Sequence, residues 1–557
     1  MQFTALTDDI LFLILSFLTP PELLGIRQTC TRLARLSRER TVWVTACQGF
    51  VLSNEYPFPR GQPLDSIPLE DLERYTIQGY RLAEIWGRRD DVTKPIGFQS
   101  VVNLEGHSGS AVSEVHFLPM KDMLLTVSKS VWVVMTVWQI GAVGNPDPVK
   151  LCEWSPRGAL FQGLAVNSDP TSPATLAVSV IDRSNEHHAH VLSLNQESQS
   201  TWALTTLVSF QTHFIPLTLE GNQVALCDDS SQTAIWDWST SEYATLDEDL
   251  RETDSEEPPA LQSMWTVSLK HDSRMKLTTS QQHNVASQVL FTLDSVLVVR
   301  ARSLCLFPCP KLAESNDPVA TSAGPLARHS FGWLDGVTVS PQTSTRGNTT
   351  SYNILLRAES DDPWQPPDAH TLCVYTLDVN PDYLVSGSTD STPSLDSVEG
   401  AATPPPLLPY IFPPRYQTKI PTSRGALRCP SLRLGSCGTA VWVKPGESVG
   451  SATGLVQMPC HQDPFFNNGY TDDDYAVPMP ISFARPFKGR GKECLMAAVL
   501  PSSSLYHHSK ASTANQTSPV MLMSNQDLQD WTCLDYDEAT GRIALGKGDG
   551  HTLLLSL

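Results

Sequence analysis

The pattern of apolar and polar positions changes near residue 99. Before that point apolar residues recur at helical spacing, most densely in residues 10–18, which are apolar except for Ser16. After it, short runs rich in Val, Leu, Trp and Thr are separated by Gly, Pro, Asn, Asp and Ser. Such runs are typical of strands and turns. The pattern predicts an α+β chain with several domains, a small all-α part followed by a large all-β part.

The first predicted helix, residues 10–18, is apolar on more than one side. Thr7 precedes it as a candidate N-cap through its hydroxyl, and Asp8 and Asp9 suit the positive end of the helix dipole. A surface helix usually has a single apolar stripe. We assign one side to Ile10, Ile14, Phe17 and Leu18, and the other to Phe12, Leu13 and Leu15. We expect both sides to be buried.

Two more helical segments follow. Residues 19–22, Thr-Pro-Pro-Glu, end the first helix and begin the second, because proline fits a first helical turn and Glu22 suits its dipole. The apolar positions of these segments are Leu23, Leu24, Ile26 and Cys30, and then Leu33, Leu36, Val42 and Trp43. A three-helix unit of about 45 residues is too small to cover both sides of its first helix. At roughly 1.5–3 kcal/mol per buried large side chain, the spare side predicts a strong interface.

Residues 27–40 are basic in an otherwise acidic chain. Five arginines, Arg27, Arg32, Arg35, Arg38 and Arg40, stand against the single Glu39. Because opposite potentials attract, this local charge predicts an acidic partner surface.

These residues resemble the F-box from end to end. The resemblance rests on Leu6 to Leu11, Ile14, Leu18, Pro21 to Leu24, Cys30 to Leu33, Leu36, Val42 and Trp43. It implies docking of a Skp-type adaptor and, through that adaptor, of a cullin. The residues assigned to docking and to the core of the F-box, residues 1–47, are Leu6, Thr7, Asp9, Ile10, Leu11, Ile14, Leu18, Pro21, Leu23, Leu24, Arg32, Leu33, Leu36 and Trp43. Thr7 departs from the family, which usually has proline there. The alternative is a helical hairpin that packs only on the rest of this chain.

Residues 48–98 form a predicted linker. An irregular stretch with Pro57, Pro59, Gly61 and Pro63 precedes an amphipathic helix at about residues 68–87. Similar helices ending in tryptophan follow the F-box in fungal members of the family, to which the chain is similar. We expect the helix to pack on the large domain and to set its angle to the F-box.

Residues 99–557 are predicted to form a β-propeller. The clearest strands are residues 112–117, 123–127, 131–140, 175–181, 190–194, 224–227, 234–238, 289–291, 296–301, 354–358, 372–377, 439–443, 532–536, 542–545 and 551–555. Gly106-His107 with Trp138, and Trp236-Asp237, resemble pieces of WD repeats. This resemblance implies six to eight blades, with residues 552–555 available to close the ring. The alternative is a pair of β-sandwiches. Disordered insertions are predicted near residues 247–257, 386–414 and 502–518.

The composition of the chain limits the classes of partner that it can bind. A formal net charge of −20 disfavours nucleic acid and anionic membrane as main partners, and no apolar run is long enough for a membrane span. The twelve cysteines lack paired or zinc-like spacing. We therefore expect reduced thiols and an intracellular protein of the cytoplasm, the nucleus or both.

The sequence offers no catalytic, metal or cofactor site that we can name. His187, His188 and His190 flank a predicted strand, and we find no cysteine or carboxylate beside them at ligand spacing. Residues 472–474 lack the rest of a calcium loop, and residues 546–550 lack the helix of a phosphate-binding loop. The resemblance therefore implies a non-catalytic substrate receptor of an SCF-type ubiquitin ligase. Two alternatives stay open, an adaptor-bound scaffold without degradation and a propeller enzyme with an added docking module.

Overall fold

The structure is a computed structural model that describes most of the chain. The described residues are 6–59, 63–87, 97–106, 109–119, 122–129, 132–141, 148–196, 201–228, 232–246, 286–292, 294–313, 323–332, 334–343, 350–358, 371–386, 407–422, 429–444, 493–501, 519–525 and 530–557. Among them, no helix combines the length and the apolar character that crossing a membrane requires.

The N-terminal helical unit, residues 8–54, has one more helix than predicted. Its described α-helices are α1 (Asp8–Leu15), α2 (Pro20–Arg27), α3 (Thr31–Leu36) and α4 (Arg40–Ala46). A π-helical turn (Cys47–Val51) and a 3-10 turn (Leu52–Asn54) follow. The prediction of three helices was wrong because the third segment breaks at Ser37, whose carbonyl accepts the indole N–H of Trp43 at 2.9 Å. Leu11, Leu23 and Trp43 are among the residues of the unit's core.

One long helix, α5 (Leu69–Gly87), connects this unit to the β-domain, as the prediction for residues 68–87 required. A 3-10 turn (Leu64–Ser66) precedes it. Leu72 belongs to the core of the helical unit, whereas Leu82 and Trp86 belong to a core of the β-domain. Gly79 lies between these halves, where a Cβ atom would be 2.2 Å from the Pro57 carbonyl oxygen. Only glycine permits this approach of helix and chain.

The described strands form seven four-stranded antiparallel sheets, the blades of a propeller. Blade 1 has β2 (Ala111–Leu118), β3 (Met123–Lys129), β4 (Val133–Gln139) and β5 (Val149–Trp154). Blade 2 has β6 (Leu160–Val166), β7 (Leu176–Ile181), β8 (His187–Gln196) and β9 (Trp202–Gln211). Blade 3 has β10 (Ile215–Glu220), β11 (Gln223–Cys227), β12 (Thr233–Asp237) and β13 (Tyr243–Leu246).

The remaining blades have the same order. Blade 4 has β14 (Ala286–Phe291), β15 (Ser295–Arg300), β16 (Ser303–Pro308) and β17 (Ala327–Ser330). Blade 5 has β18 (Leu334–Thr343), β19 (Thr350–Ala358), β20 (Thr371–Leu377) and β21 (Arg415–Pro421), with the short helix α6 (Pro381–Ser386) between the last two. Blade 6 has β22 (Leu432–Leu434), β23 (Thr439–Lys444), β24 (Cys494–Val499) and β25 (Val520–Ser524).

Blade 7 closes the ring with both ends of the β-domain. It consists of β26 (Trp531–Asp537), β27 (Arg542–Lys547), β28 (Thr552–Ser556) and, as its outer strand, β1 (Ser100–Leu104). Val102 pairs with Leu554 across the closure. The predicted closure is thus confirmed, except that the N-terminal strand completes the last blade. The expected range of six to eight blades is confirmed at seven, and the β-sandwich alternative is wrong.

The propeller has two unlike faces. The first strands of neighbouring blades contact each other, so they are innermost. Because the strands alternate in direction, loops between first and second strands and between third and fourth strands lie on one face. We call it the helix-side face, since α5 contacts Asp122, between β2 and β3, and Thr540, between β26 and β27. Hairpins between second and third strands, and connections between blades, lie on the opposite face, the open face.

The predicted insertions fall largely outside the described residues. Residues 247–257 and 502–518 lie wholly outside them, as do residues 387–406 of the predicted stretch 386–414. Residues 407–414 are described and lead into β21. The boundaries of the insertions and of the domains stay predictions.

Candidate functional site

Helix α1 and the turn that follows it expose a stripe of large apolar side chains. Ile10, Leu13 and Phe17 are 45%, 61% and 73% exposed, respectively. Their spacing of three and four residues puts them on one side of the helical path. Leu11 and Leu15, both 1% exposed, face the core of the unit. We call Ile10, Leu13 and Phe17 the α1 stripe.

The stripe corrects our assignment of the two sides of α1. Leu13 lies beside Ile10 and not opposite to it, because three residues rotate a helix by about 300°, which is only about 60° short of a full turn. Within the unit only the side with Leu11 and Leu15 is covered. The uncovered side is the spare apolar surface that the small size of the unit predicted.

Charged contacts hold α1 on α3. The Arg32 guanidinium donates to the Asp8 carboxylate at 3.0 Å through Nε, and to the Leu6 carbonyl oxygen at 2.8 Å through Nη2. Arg35 Nη2 is 3.6 Å from the other carboxylate oxygen of Asp8. The predicted cap at Thr7 is wrong, because its hydroxyl makes no capping hydrogen bond. The stripe is therefore displayed on a helix whose start is anchored to the unit by side chains.

The turn from α1 to α2 is closed by a capping box. The backbone N–H and the hydroxyl of Thr19 each donate to the Glu22 carboxylate at 2.8 Å. These hydrogen bonds, the backbone one first, lower the pKa of Glu22 below its ordinary value. Pro20 is buried and Pro21 is exposed beside the end of the stripe. The corner therefore has a defined shape at the edge of the apolar surface.

Most of the arginines are engaged inside the chain. Arg27 forms a bidentate pair with Glu73 of α5, at 2.6 and 3.0 Å, and Nη2 also donates to the Ser37 carbonyl at 3.1 Å. Arg40 donates to the Ile67 carbonyl at 2.8 Å and to the Leu64 carbonyl at 2.5 Å. Because Arg32 and Arg35 share the Asp8 carboxylate and Arg27 pairs with Glu73, the positive charge from which we predicted an acidic partner is partly compensated locally.

Helix α5 contacts both the helical unit and the propeller. On the helical unit, Arg27 lies over the Trp43 ring at 5.7 Å, and burial raises the pKa of the Cys47 thiol to about 11. On the propeller, Asp122 accepts from Arg74 at 3.3 Å and from Arg542 at 3.0 Å. A cavity of about 500 Å³ lies beside this pair. The adjacent residues Glu73 and Arg74 of α5 therefore form charge pairs with both units, Glu73 with Arg27 and Arg74 with Asp122.

The assigned docking residues divide by burial into three groups. Leu11, Leu23, Leu33, Leu36 and Trp43 are buried in the core of the unit; Leu6, Ile14, Leu18, Leu24 and Arg32 are half-buried; Thr7, Asp9, Ile10 and Pro21 are exposed. Leu13 and Phe17, the most exposed members of the stripe, were absent from that assignment. The signal that could have found them was their spacing from Ile10. Their role in docking remains a prediction, like that of the assigned residues.

The histidine-rich strand β8 has acidic neighbours that we did not predict. The His188 Nε2 atom is 3.7 Å from an Asp182 carboxylate oxygen and 3.6 Å from one of Glu186. The three ligand atoms lie within 4.8 Å of one another, so the statement that no carboxylate stands at ligand spacing is wrong. Asp182 also accepts the backbone N–H groups of Ser184 and Glu186, as in an ordinary hairpin turn.

Comparison with known proteins identifies the helical unit. Residues 8–49 match the family model described as F-box-like. Two solved structures are similar at low identity. One is the β-propeller domain of Cps50 (Swd1) from Myceliophteria thermophila, with 8% identity, a TM-score of 0.40, and coverage of 82% of this chain and 100% of that one. The other is a humanized mutant of the Chaetomium thermophilum Polycomb Repressive Complex 2, with 9% identity, a TM-score of 0.40, and coverage of 83% and 98%. No curated protein matches the chain.

Proposed function

We propose that this chain, in which an F-box-like domain at residues 8–49 precedes a seven-bladed β-propeller, is the substrate-recognition subunit of an SCF-type ubiquitin ligase. The F-box-like domain docks a Skp-type adaptor, and the propeller binds a protein substrate. The chain acts inside the cell and is itself non-catalytic. The observation that carries the proposal is the α1 stripe, a large apolar surface left uncovered on an F-box-like domain.

Burial of the α1 stripe can supply the free energy of a stable complex. Burying a large aliphatic or aromatic side chain contributes roughly 1.5–3 kcal/mol, and the stripe has three of them. Ile14 and Leu18 are half-buried and add to the apolar surface. Part of the gain is offset by the entropy lost on association, so affinity depends on how well the adaptor fits the stripe. A fixed helix lowers that cost because α1 needs no reordering to bind.

The anchored α5 supports a role in positioning. Glu73 of α5 accepts from Arg27 of the docking domain, while Arg74 and Gln78 of α5 donate to Asp122 of blade 1 and Thr540 of blade 7. A substrate held on the propeller then stays at a restricted distance from the adaptor and from the conjugating enzyme that the ligase recruits. Proximity of this kind turns a slow bimolecular transfer into an effectively intramolecular one.

Co-expression of the full chain with a Skp-type adaptor and a cullin tests the proposal. The wild-type chain is expected to co-purify with both. The variant Leu13→Asp, Phe17→Asp should lose both, because it puts two carboxylates into the apolar contact while leaving the core intact. The matched control is Leu207→Asp, an exposed apolar position on the outer strand β9 of the propeller, which should retain both.

The possible outcomes separate the functions. Equal adaptor recovery from the stripe variant and the control would overturn adaptor docking through α1. If the adaptor is recovered but no cullin joins it, the chain is a scaffold and not a ligase subunit. A comparison of residues 1–557 with residues 48–557 gives the coarser answer, since the shorter chain lacks α1 altogether.

A further inference from the structure

Exposed large apolar side chains of the propeller are unevenly distributed. In the described part of the propeller, five of them lie on outer strands: Val101, Val149, Leu207, Tyr416 and Met521. Leu326, between β16 and β17, and Leu407 and Ile411, between β20 and β21, lie on the helix-side face. On the open face, away from α5, the exposed large apolar residues of the described chain are Trp132 and Leu160. These two come from adjacent blades.

Trp132 and Leu160 belong to one surface with three cations. Trp132 is in the hairpin between β3 and β4, and its ring lies 5.8 Å from the Arg183 guanidinium carbon in the corresponding hairpin of blade 2. The Lys129 ammonium lies 4.5 Å from the ring centroid of Phe161, next to Leu160. Arg157 is exposed on the connection between the blades. We call Lys129, Trp132, Arg157, Leu160, Phe161 and Arg183 the blade 1–2 patch.

The backbone of the connection accommodates this arrangement. Gly158 has φ +81°, and a Cβ atom there would be 2.1 Å from the Arg183 Nε atom. The absence of a side chain lets Arg183 lie across the connection towards Trp132. The cation over an aromatic face is stabilised by the ring, while the edge of its guanidinium keeps N–H donors for an outside carboxylate.

The charges around the blade 1–2 patch determine which kind of ligand it can bind. The nearby acids Asp182 and Glu186 lie against His188, and Asp182 is further occupied by its own turn. Lys129, Arg157 and Arg183 still outnumber these two acids, so the surface is net positive on a chain of net charge −20. At physiological ionic strength, exposed charges more than about 8 Å apart are largely screened from each other. A short acidic segment at the patch therefore interacts mainly with these three cations. A long polyphosphate would also meet the acidic remainder, which disfavours nucleic acid.

We propose that the blade 1–2 patch binds an extended acidic segment of a partner protein, in which carboxylates flank one large apolar side chain. The apolar side chain packs between Trp132 and Leu160, and the carboxylates pair with Lys129, Arg157 and Arg183. This inference rests on the proposed function, in which the partner is the substrate. It names the substrate's docking class and the face of the propeller that receives it.

Peptide selection on the full-length chain tests the patch without any adaptor. A random peptide display library is selected on the immobilised protein, and enriched peptides are synthesised with a fluorescent label and titrated. We expect them to combine acidic residues with one large apolar residue. Arg183→Glu and Lys129→Glu should each weaken binding by about tenfold, as loss of a charge-assisted contact does, and Trp132→Ala by a similar factor.

Two control variants outside the patch show whether a loss of peptide binding is specific to the patch. Lys419→Glu changes an exposed strand lysine of blade 5, and Tyr416→Ala removes an exposed aromatic residue of the same outer strand. Both should bind the selected peptides like the wild type. The proposal is overturned if enriched peptides have no acidic excess, if the patch variants bind them unchanged, or if a single-stranded oligonucleotide displaces them and binds more tightly.

The ligase proposal and the patch can fail separately. If the selected peptides depend on the patch but the wild-type chain does not bind the adaptor, the chain is a receptor for acidic segments and not a ligase subunit. Adaptor and cullin binding without patch-dependent peptides would leave the ligase proposal intact and overturn the patch.

Discussion

Helix α1 is apolar on more than one side, whereas α5 is amphipathic, and the chain covers their apolar surfaces differently. One half of α5 packs into the core of the helical unit and the other half into a core of the propeller. Helix α1 covers Leu11 and Leu15 and leaves Ile10, Leu13 and Phe17 in solvent. The apolar face of α5 thus joins two parts of one chain. In α1 the second apolar side remains available for another chain.

Because α5 is packed and the α1 stripe is exposed, substitutions in the two helices should affect different properties, the stability of the fold and the binding of a partner. Removing a side chain from α5 should weaken the fold, because that side chain is part of a packed core. Removing one from the α1 stripe should leave the fold unchanged and affect only a complex, because the residue is already exposed. Each variant below tests one side of this contrast.

The largest expected effect on stability is at Leu82. The side chain is fully buried, and a Cβ atom at Gly541 would be 2.4 Å from its Cδ2 atom, which shows how closely the propeller approaches. Leu82→Ala should lower the free energy of unfolding by about 2–5 kcal/mol. Leu13→Ala is the control and should change it by no more than about 0.5 kcal/mol. Urea unfolding followed by tryptophan fluorescence measures both, and equal losses would contradict the contrast.

The next effect is expected at the pair of Arg27 and Glu73. Both side chains are mostly buried, and the pair is bidentate. Arg27→Met should cost about 1.5–3 kcal/mol, because it leaves the Glu73 carboxylate without its main donor. Arg38→Met, at an exposed arginine of the same unit, should have little effect. A double-mutant cycle with Glu73→Gln gives the coupling energy, and a value near zero would show that the pair does not hold α5.

Two helical glycines should respond in opposite directions. Gly79→Ala in α5 puts a methyl group against the Pro57 carbonyl and should destabilise the chain by about 1–3 kcal/mol. Gly25→Ala in α2 meets no atom within 4 Å and should stabilise it by about 0.5–1 kcal/mol, because alanine favours the helix. Thermal unfolding of the two variants measures the signs. A stabilising Gly79→Ala would mean that α5 does not pack closely on the chain before it.

The smallest effect concerns pH at the capping box. The lowered pKa of Glu22 means that its ionised form is favoured in the folded state. Its contribution is fully present above the ordinary pKa of a glutamate and is lost as pH falls through the lowered value. Glu22→Gln should therefore reduce the fall in the unfolding temperature between about pH 6 and pH 3. A Glu22→Gln variant whose unfolding temperature falls as much as that of the wild type would contradict the assignment.

The sequence was most informative where strands are buried on both sides. β7, Leu-Ala-Val-Ser-Val-Ile, is a second strand of a blade, almost wholly buried, and its apolar run predicted it. The outer strand β5 alternates partly exposed polar and apolar residues and was not predicted. β17, Ala-Arg-His-Ser, has hardly any apolar pattern. Outer strands are placed by hydrogen bonds to an existing blade, so their own sequence has little information about them.

The candidate site was predicted only in part for a different reason. The sequence indicated that α1 has too much apolar surface for a small unit, but the covered side depends on where Leu23, Leu33 and Trp43 meet it. Those contacts join residues distant along the chain. The same holds for Arg27, whose partner Glu73 is 46 positions away. Local patterns predict elements well, whereas pairing between elements needs the fold.

Titration of the purified chain with a Skp-type adaptor tests the central claim most directly. The Kd of the wild-type chain is compared with those of Leu13→Asp, Phe17→Asp and of the control Leu207→Asp, with urea unfolding of each protein measured in parallel. Loss of two buried side chains at roughly 1.5–3 kcal/mol each predicts at least a hundredfold weaker binding for the stripe variant. Unfolding and the control's Kd should be unchanged. A stripe variant that binds like the wild type would contradict the claim that α1 is the docking surface.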